Sequence, residues 1–157
     1  MAETFKNILY SFLIFTASVV VVALAGAFVL HLSPKIVLSG SMEPEIKTGS
    51  MVFIKTSIPP EKITERDIIA YEINKEFQVL HRVVAIDREK KQFHTKGDAN
   101  KSVDAGEIDF TQYLGKAVFS IPFLGYLVSM FQNKIFIFAM IVLWGGFMFR
   151  ERRLQSS

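Results

Sequence analysis

The chemistry-bearing side chains of this chain are serines, histidines and carboxylates gathered in a few short segments. Leu38-Ser39-Gly40-Ser41-Met42-Glu43-Pro44 carries two serines one residue apart. Gly40 opens backbone conformations closed to residues with a Cβ, while Pro44 fixes its own φ and biases Glu43 toward extended backbone. The combination predicts a rigid, kinked strand end bearing Ser41, with Ser39 on the same face of the extended segment and its hydroxyl turned toward the same centre. A serine hydroxyl is a weak nucleophile until a neighbour takes its proton, so Ser41 needs a base. The histidines are His31, His81 and His94. His81 is a lone polar ring within Val79-Leu80-His81-Arg82-Val83-Val84-Ala85-Ile86, and His94 lies in Phe93-His94-Thr95-Lys96 on an expected partner strand. Either supplies an imidazole, or is an ordinary strand histidine with a local hydrogen bond. His31 marks the outer end of an apolar run. Lysine is the other route, with Lys96 or Lys75 serving if burial depressed its pKa.

A histidine base works best when an acid fixes its tautomer and stabilises the imidazolium. Asp98, in Lys96-Gly97-Asp98-Ala99-Asn100, and Asp104, in Ser102-Val103-Asp104-Ala105, are both candidates. Gly-Asp-x-Asn is equally good turn chemistry, which gives Asp98 a purely structural alternative. Asp67, in Arg66-Asp67-Ile68-Ile69, is placed to start a strand. The histidines match none of the short zinc spacings, so neither a metal nor another cofactor is expected. The absence of cysteine excludes a disulfide framework and a thiol nucleophile.

These residues are carried on a chain of 157 residues whose mean hydropathy of +0.32 is too high for a purely soluble domain. Two blocks account for the excess. Ile8 to Leu30 holds no charge and is long enough to cross the roughly 30 Å hydrocarbon layer as a helix. Ala23-Leu24-Ala25 and Ala25-Gly26-Ala27 have the small-x-small pattern of a cleavable signal peptide. The apolar part of such a peptide spans only about 7 to 15 residues, so an uncleaved anchor is expected. Ile135 to Phe149 is also uncharged but short for a crossing; Phe131 to Asn133 and a snorkelling Lys134 lengthen it. A buried helix or a re-entrant segment is its alternative. Arg150, Arg152 and Arg153 hold its C-terminal end on the cytoplasmic side. The expected organisation is a tail and anchor over residues 1–32, an extracytoplasmic β-rich domain over 33–130, and a transmembrane helix with a basic cytoplasmic tail over 131–157. The net charge of +3 leaves no nucleic-acid footprint.

The central region reads as short strands between turn signals. Met51 to Ile54 follows Lys47-Thr48-Gly49-Ser50, and Asp67 to Tyr71 resumes after Ile58-Pro59-Pro60. Phe77 to Ile86 and Gln92 to Lys96 form a hairpin across Asp87-Arg88-Glu89-Lys90-Lys91, and Leu114 to Ile121 ends at Pro122. This pattern favours a small antiparallel sheet or partial barrel.

Ser39-Gly40-Ser41-Met42-Glu43-Pro44, Arg66-Asp67-Ile68-Ile69-Ala70-Tyr71, His81-Arg82-Val83-Val84 and Thr95-Lys96-Gly97-Asp98-Ala99-Asn100 keep this order beyond the anchor. Together they resemble the successive motifs of type I signal peptidase, from about Lys35 to Gly125. Histidine stands where the common bacterial branch has a lysine. The resemblance is therefore to the histidine branch of archaea, of the endoplasmic-reticulum signal peptidase complex and of sporulation-type Gram-positive enzymes. It implies a mainly β fold, a small antiparallel-sheet catalytic domain flanked by N- and C-terminal transmembrane helices. It further implies Ser41 as nucleophile, His81 as base, and Asp98, Asp104 or both as the supporting acid, with Asp104 ahead because it matches the second acidic position after Gly-Asp. The Ser41 N–H and the Ser39 hydroxyl become oxyanion donors. Arg66 departs from the glycine usual before Asp67, which touches a turn, and a single aspartate stands where some relatives have two. The implied partners are the lipid bilayer and secretory preproteins, with the signal peptide extended along a strand edge and small residues one and three positions before the cut. Accessory subunits are a further partner class. The stretch Met42 to Ile54 would line the groove or dip into lipid. A second, C-terminal span and the lack of targeting signals favour a prokaryotic plasma membrane, with the endoplasmic reticulum as alternative. Two readings compete: a non-catalytic membrane-tethered β domain that binds partners, and a serine-lysine peptidase of the same fold.

Overall fold

The computed structural model describes residues 2–73 and 77–155, and side chains at all of these except 2, 5, 23, 24 and 147–155. The first element is a helix, α1 (Ala2–Val29), whose segment Lys6–Val29 contains an 18-residue window of mean hydropathy 2.6, none of it buried against protein among the described residues. At 1.5 Å per residue this segment is about 36 Å long, enough to cross a bilayer. Polar side chains in such a helix need partners within it. Thr16 and Ser18 donate to the carbonyls of Phe12 and Ile14 at 2.8 and 2.9 Å. The helix stops where His31 adopts a φ of 53°.

Seven strands then form one antiparallel sheet. They are β1 (Leu32–Ile36), β2 (Met51–Lys55), β3 (Ile68–Ile73), β4 (Phe77–Asp87), β5 (Gln92–Lys96), β6 (Ile108–Asp109) and β7 (Tyr113–Ile121), in the spatial order β1-β2-β7-β3-β4-β5-β6. The antiparallel fold and the β4–β5 hairpin are as the sequence predicts. Period-2 alternation decides what lies inside. In β2 it buries Val52 and Ile54, and in β5 it buries Phe93 and Thr95. One core cluster gathers Val37, Met42, Ile46, Val52, Ile54 and Ala70; a second gathers Ile63, Ile69, Tyr71, Val83, Phe93 and Ile108. The His31 carbonyl accepts from Thr56 N at 3.0 Å and Thr56 Oγ1 at 3.2 Å, tying the end of α1 to the end of β2.

Asp67 sits just before β3, as expected of a strand starter. It accepts from Thr64 N and Oγ1 at 3.0 and 3.1 Å and pairs with Lys116 of β7 at 2.7 Å. Burial opposes its ionisation, but the bonds to Lys116 and Thr64 outweigh this and hold its pKa below the ordinary 3.8. A depressed folded pKa gives stability that is complete above the unfolded value and is lost as pH falls through the folded one. Asp67→Asn is therefore expected to lower stability at neutral pH and to flatten its fall below about pH 4, as read from thermal unfolding between pH 3 and 7.

Beyond β7, Phe123 at φ 63° starts a second helix, α2 (Leu124–Gln132). Gly125 packs so closely on the turn before β2 that a Cβ there would lie 2.7 Å from the Gly49 carbonyl. Asn133 breaks the helical run. Its side chain accepts from the backbone N–H of Ile135 and Phe136 at 2.9 and 3.3 Å, an N-cap that starts a third helix, α3 (Lys134–Gln155), at 72° to α2. Phe131 and Gln132, expected to extend the second apolar block, thus belong to α2. The pair Leu124–Gln132 and Lys134–Gly146 is long and apolar enough to cross a membrane only if taken together.

Candidate active site

Ser41 does not lie at a strand end. Residues 41–45 form a turn in which Glu43 N donates to Gly40 O at 3.0 Å and Ile46 N to Met42 O at 2.8 Å. Glu43 is not committed to a ladder; its carboxylate accepts from Thr48 N and Oγ1 at 3.2 and 3.1 Å. A second turn holds the first. Ala99 N donates to the Ser41 carbonyl at 2.9 Å, and Gly97 lies so close that a Cβ there would sit 2.7 Å from the same oxygen. The Ser39 and Ser41 hydroxyls are 3.3 Å apart.

His81 reaches this serine from β4. Inward alternation buries the residue at 9 % exposure, as it does Val83. Its Nε2 lies 3.1 Å from Ser41 Oγ, and its Nδ1 lies 2.5 Å from Asp104 Oδ2. A carboxylate can only accept, so Nδ1 carries the proton and Nε2 is left to accept from the serine. A hydroxyl, an imidazole and a carboxylate connected this way can deprotonate the hydroxyl and stabilise the imidazolium that results.

Asp98 is placed elsewhere. Its carboxylate takes a bidentate pair from Arg82, Nε to Oδ1 at 2.8 Å and Nη2 to Oδ2 at 2.6 Å, and among the described residues it makes no hydrogen bond to His81. Arg82 also donates to the Arg66 carbonyl at 2.8 Å. The turn reading of Gly-Asp-x-Asn describes this segment, since Asn100 N donates to Gly97 O at 3.0 Å. One turn thus grips the backbone of Ser41 and the neighbour of His81. His94 is half-buried opposite Ala85, and His31 is exposed at the end of α1. Among the described residues neither His94 nor Lys96 hydrogen-bonds Ser41; Lys75 lies outside the described residues.

Tyr71 and Thr95 join the array although the two sequence motifs that contain them gave neither a role. Thr95 Oγ1 donates to Asp104 Oδ2 at 2.8 Å, and Tyr71 OH is 3.2 Å from Thr95 Oγ1. Their inward phase on β3 and β5, shared with Ile69 and Phe93, was the available signal.

Ser41 and His81 open onto a groove of about 750 Å³. Residues 35–39 line it on one part and 77–81 on another, with Met42, Val52, Ile54 and Ala70 supplying apolar surface. Of the stretch Met42 to Ile54, Met42, Val52 and Ile54 belong to the first core cluster and also line the groove, while Ile46 belongs to that cluster alone. From Phe77 to His81, β4 pairs with β3 alone, because β5 joins only at Arg82.

An antiparallel sheet joined to a helix long and apolar enough to cross a membrane, with a hydroxyl-imidazole-carboxylate array opening on an apolar groove, is consistent with a membrane protein of enzymatic potential. No protein-family model matches the chain. Among characterised proteins it is 32 % identical to the signal peptidase complex catalytic subunit SEC11 of Lodderomyces elongisporus, over 74 % of this chain and 76 % of that protein. It is 34 % identical to SEC11 of Candida albicans, over 70 % and 72 %. It is also 37 % identical to signal peptidase I W of Bacillus subtilis, a match that takes in 47 % of this chain and 40 % of that protein's length. The chain belongs to the signal peptidase family of the signal peptidase I and SEC11 proteins.

Proposed function

We propose that the chain is a membrane-bound serine endopeptidase that removes signal peptides from exported preproteins through an acyl-enzyme. The observation that carries this reading is the unbroken contact from Ser41 Oγ to His81 Nε2 and from His81 Nδ1 to Asp104. In this mechanism Ser41 attacks the scissile carbonyl as His81 takes its proton. The Ser41 N–H and the Ser39 hydroxyl hold the oxyanion, and His81 protonates the leaving amine before water resolves the ester. Asp104 orients His81, and Asp98 acts at one remove by fixing Arg82. The signal peptide adds as a strand along the open edge of residues 77–81, its small side chains facing the apolar groove. Membership of the family and the site geometry both support this assignment.

The topology proposed with it has α1 and the α2–α3 pair in the bilayer, the termini cytoplasmic and the sheet outside, at a prokaryotic plasma membrane. The test is cleavage of a model preprotein by the full chain in liposomes, with the product mapped to the residue. The expected cut follows a small residue at the end of the signal peptide; no cut, or cuts without regard to the residues before them, sinks the proposal. In the same assay Ser39→Ala is expected to lower kcat by about 10²- to 10³-fold, the usual consequence of losing one oxyanion donor.

A further inference from the structure

Asp104 lies in an irregular stretch between β5 and β6, so no ladder or helix aims its carboxylate. Thr95 grips it at two points. The Thr95 carbonyl accepts from Asp104 N at 2.9 Å, and the Thr95 hydroxyl reaches Asp104 Oδ2 at 2.8 Å. Tyr71 OH stands behind, 3.2 Å from Thr95 Oγ1 and 3.5 Å from both Asp104 Oδ2 and His81 Nδ1. Tyr71, His81 and Thr95 come from three adjacent strands, β3, β4 and β5, and the two hydroxyl residues are 2 % and 0 % exposed. The bond directions are forced. A carboxylate only accepts, so Thr95 gives its proton to Asp104 and turns a lone pair toward Tyr71. Burial raises the pKa of the Tyr71 phenol against the opposing Thr95 bond, and the phenol is a donor.

Building on the catalytic reading above, we propose that Thr95 and Tyr71 are positioning residues. Their protons, directed in series toward Oδ2, hold the Asp104 carboxylate in the orientation that meets His81 Nδ1. His81 is thereby kept in the tautomer whose free Nε2 faces Ser41. Neither hydroxyl touches the reacting atoms. A purely structural role would need only their volume, which valine and phenylalanine supply without the proton.

The test measures preprotein cleavage by the full chain in liposomes for Thr95→Val, Thr95→Ser, Tyr71→Phe, Asp104→Ala and the pair Thr95→Val with Asp104→Ala, with thermal unfolding of each. Thr95→Val is expected to lower kcat by about 10- to 100-fold at nearly constant KM, the scale of one hydrogen bond to a charged group. Thr95→Ser, which keeps the hydroxyl, is expected to restore most of the rate, and Tyr71→Phe to lose less than Thr95→Val. In the Asp104→Ala background Thr95→Val should cost nothing further, because both changes remove one function. An equal loss in both backgrounds, a serine variant as slow as valine, or a fully active Thr95→Val overturns the proposal. If Thr95→Val does not fold, Tyr71→Phe paired with Asp104→Ala carries the same comparison. An Asp104→Ala chain of wild-type rate overturns the acid's role itself, and the positioning proposal with it, a result separable from failure of Thr95 alone.

Discussion

On the proposed mechanism, replacing Ser41 with alanine is expected to abolish cleavage of a model preprotein, and replacing His81 with alanine to lower kcat on the order of 10⁶-fold, as for nucleophile and base of a Ser-His-Asp protease. The size follows from interdependence. Ser41 Oγ has His81 Nε2 at 3.1 Å, and no lysine or second histidine hydrogen-bonds it among the described residues. Removing the imidazole leaves the hydroxyl without a proton acceptor, and removing the hydroxyl leaves the imidazole nothing to activate. The double replacement should therefore cost no more than either single one. Purified variants in liposomes, checked for unaltered thermal unfolding, provide the measurement. A His81→Ala chain close to the wild-type rate transfers the base to another residue, and a Ser41→Ala chain that still cuts removes Ser41 as nucleophile.

Asp104→Asn is expected to lower kcat by about 10⁴-fold, because an amide facing Nδ1 favours the tautomer that turns a proton toward Ser41. The comparison with Asp98 isolates the cause. Asp98→Ala deprives Arg82 of its bidentate partner and loses stability, at about 1–3 kcal/mol for hydrogen bonds to a charged group. Arg82 is next to His81 in β4, so this variant should also slow catalysis, but by only about 10²-fold or less, the scale of a small displacement of a catalytic group. Thermal unfolding and kcat measured side by side separate the two aspartates. Asp104→Asn should be stable and nearly inactive, Asp98→Ala unstable and partly active. The reverse pattern would exchange their roles.

Much of this arrangement was legible in the sequence. Short apolar runs between turn signals marked β2, β3, the β4–β5 hairpin and β7, and in β2 and β5 the inward phase is written in every second side chain. β1 was not legible. It carries Pro34 in its middle, which only an edge strand tolerates, and it follows the apolar helix with no turn signal of its own. β6 is two residues long and exists through its pairing with β5. Ser41 and His81 could be named from their neighbours, but their 40-residue separation is closed by the sheet. The choice between Asp98 and Asp104 rests on which carboxylate finds Arg82 and which finds the imidazole. Both lie in irregular backbone, where residue spacing carries no direction. Thr95 and Tyr71 have the same difficulty: a buried hydroxyl in a strand looks like core until its acceptor is known.

The joint between α1 and the sheet fixes a stand-off. Only Leu30 and His31 separate the helix from β1, and the His31 carbonyl is tied to Thr56 at the end of β2. From Leu32 to Ser41 the chain could reach at most about 34 Å even if fully extended, and the turn around Ser41 shortens this further. With α1 in the bilayer, Ser41 is therefore carried at a set height above the apolar layer, with little slack to lean outward. On the proposed function the domain would act as a gauge, meeting the bonds of a membrane-embedded chain that emerge at that height and passing over the same residues presented farther into the aqueous phase.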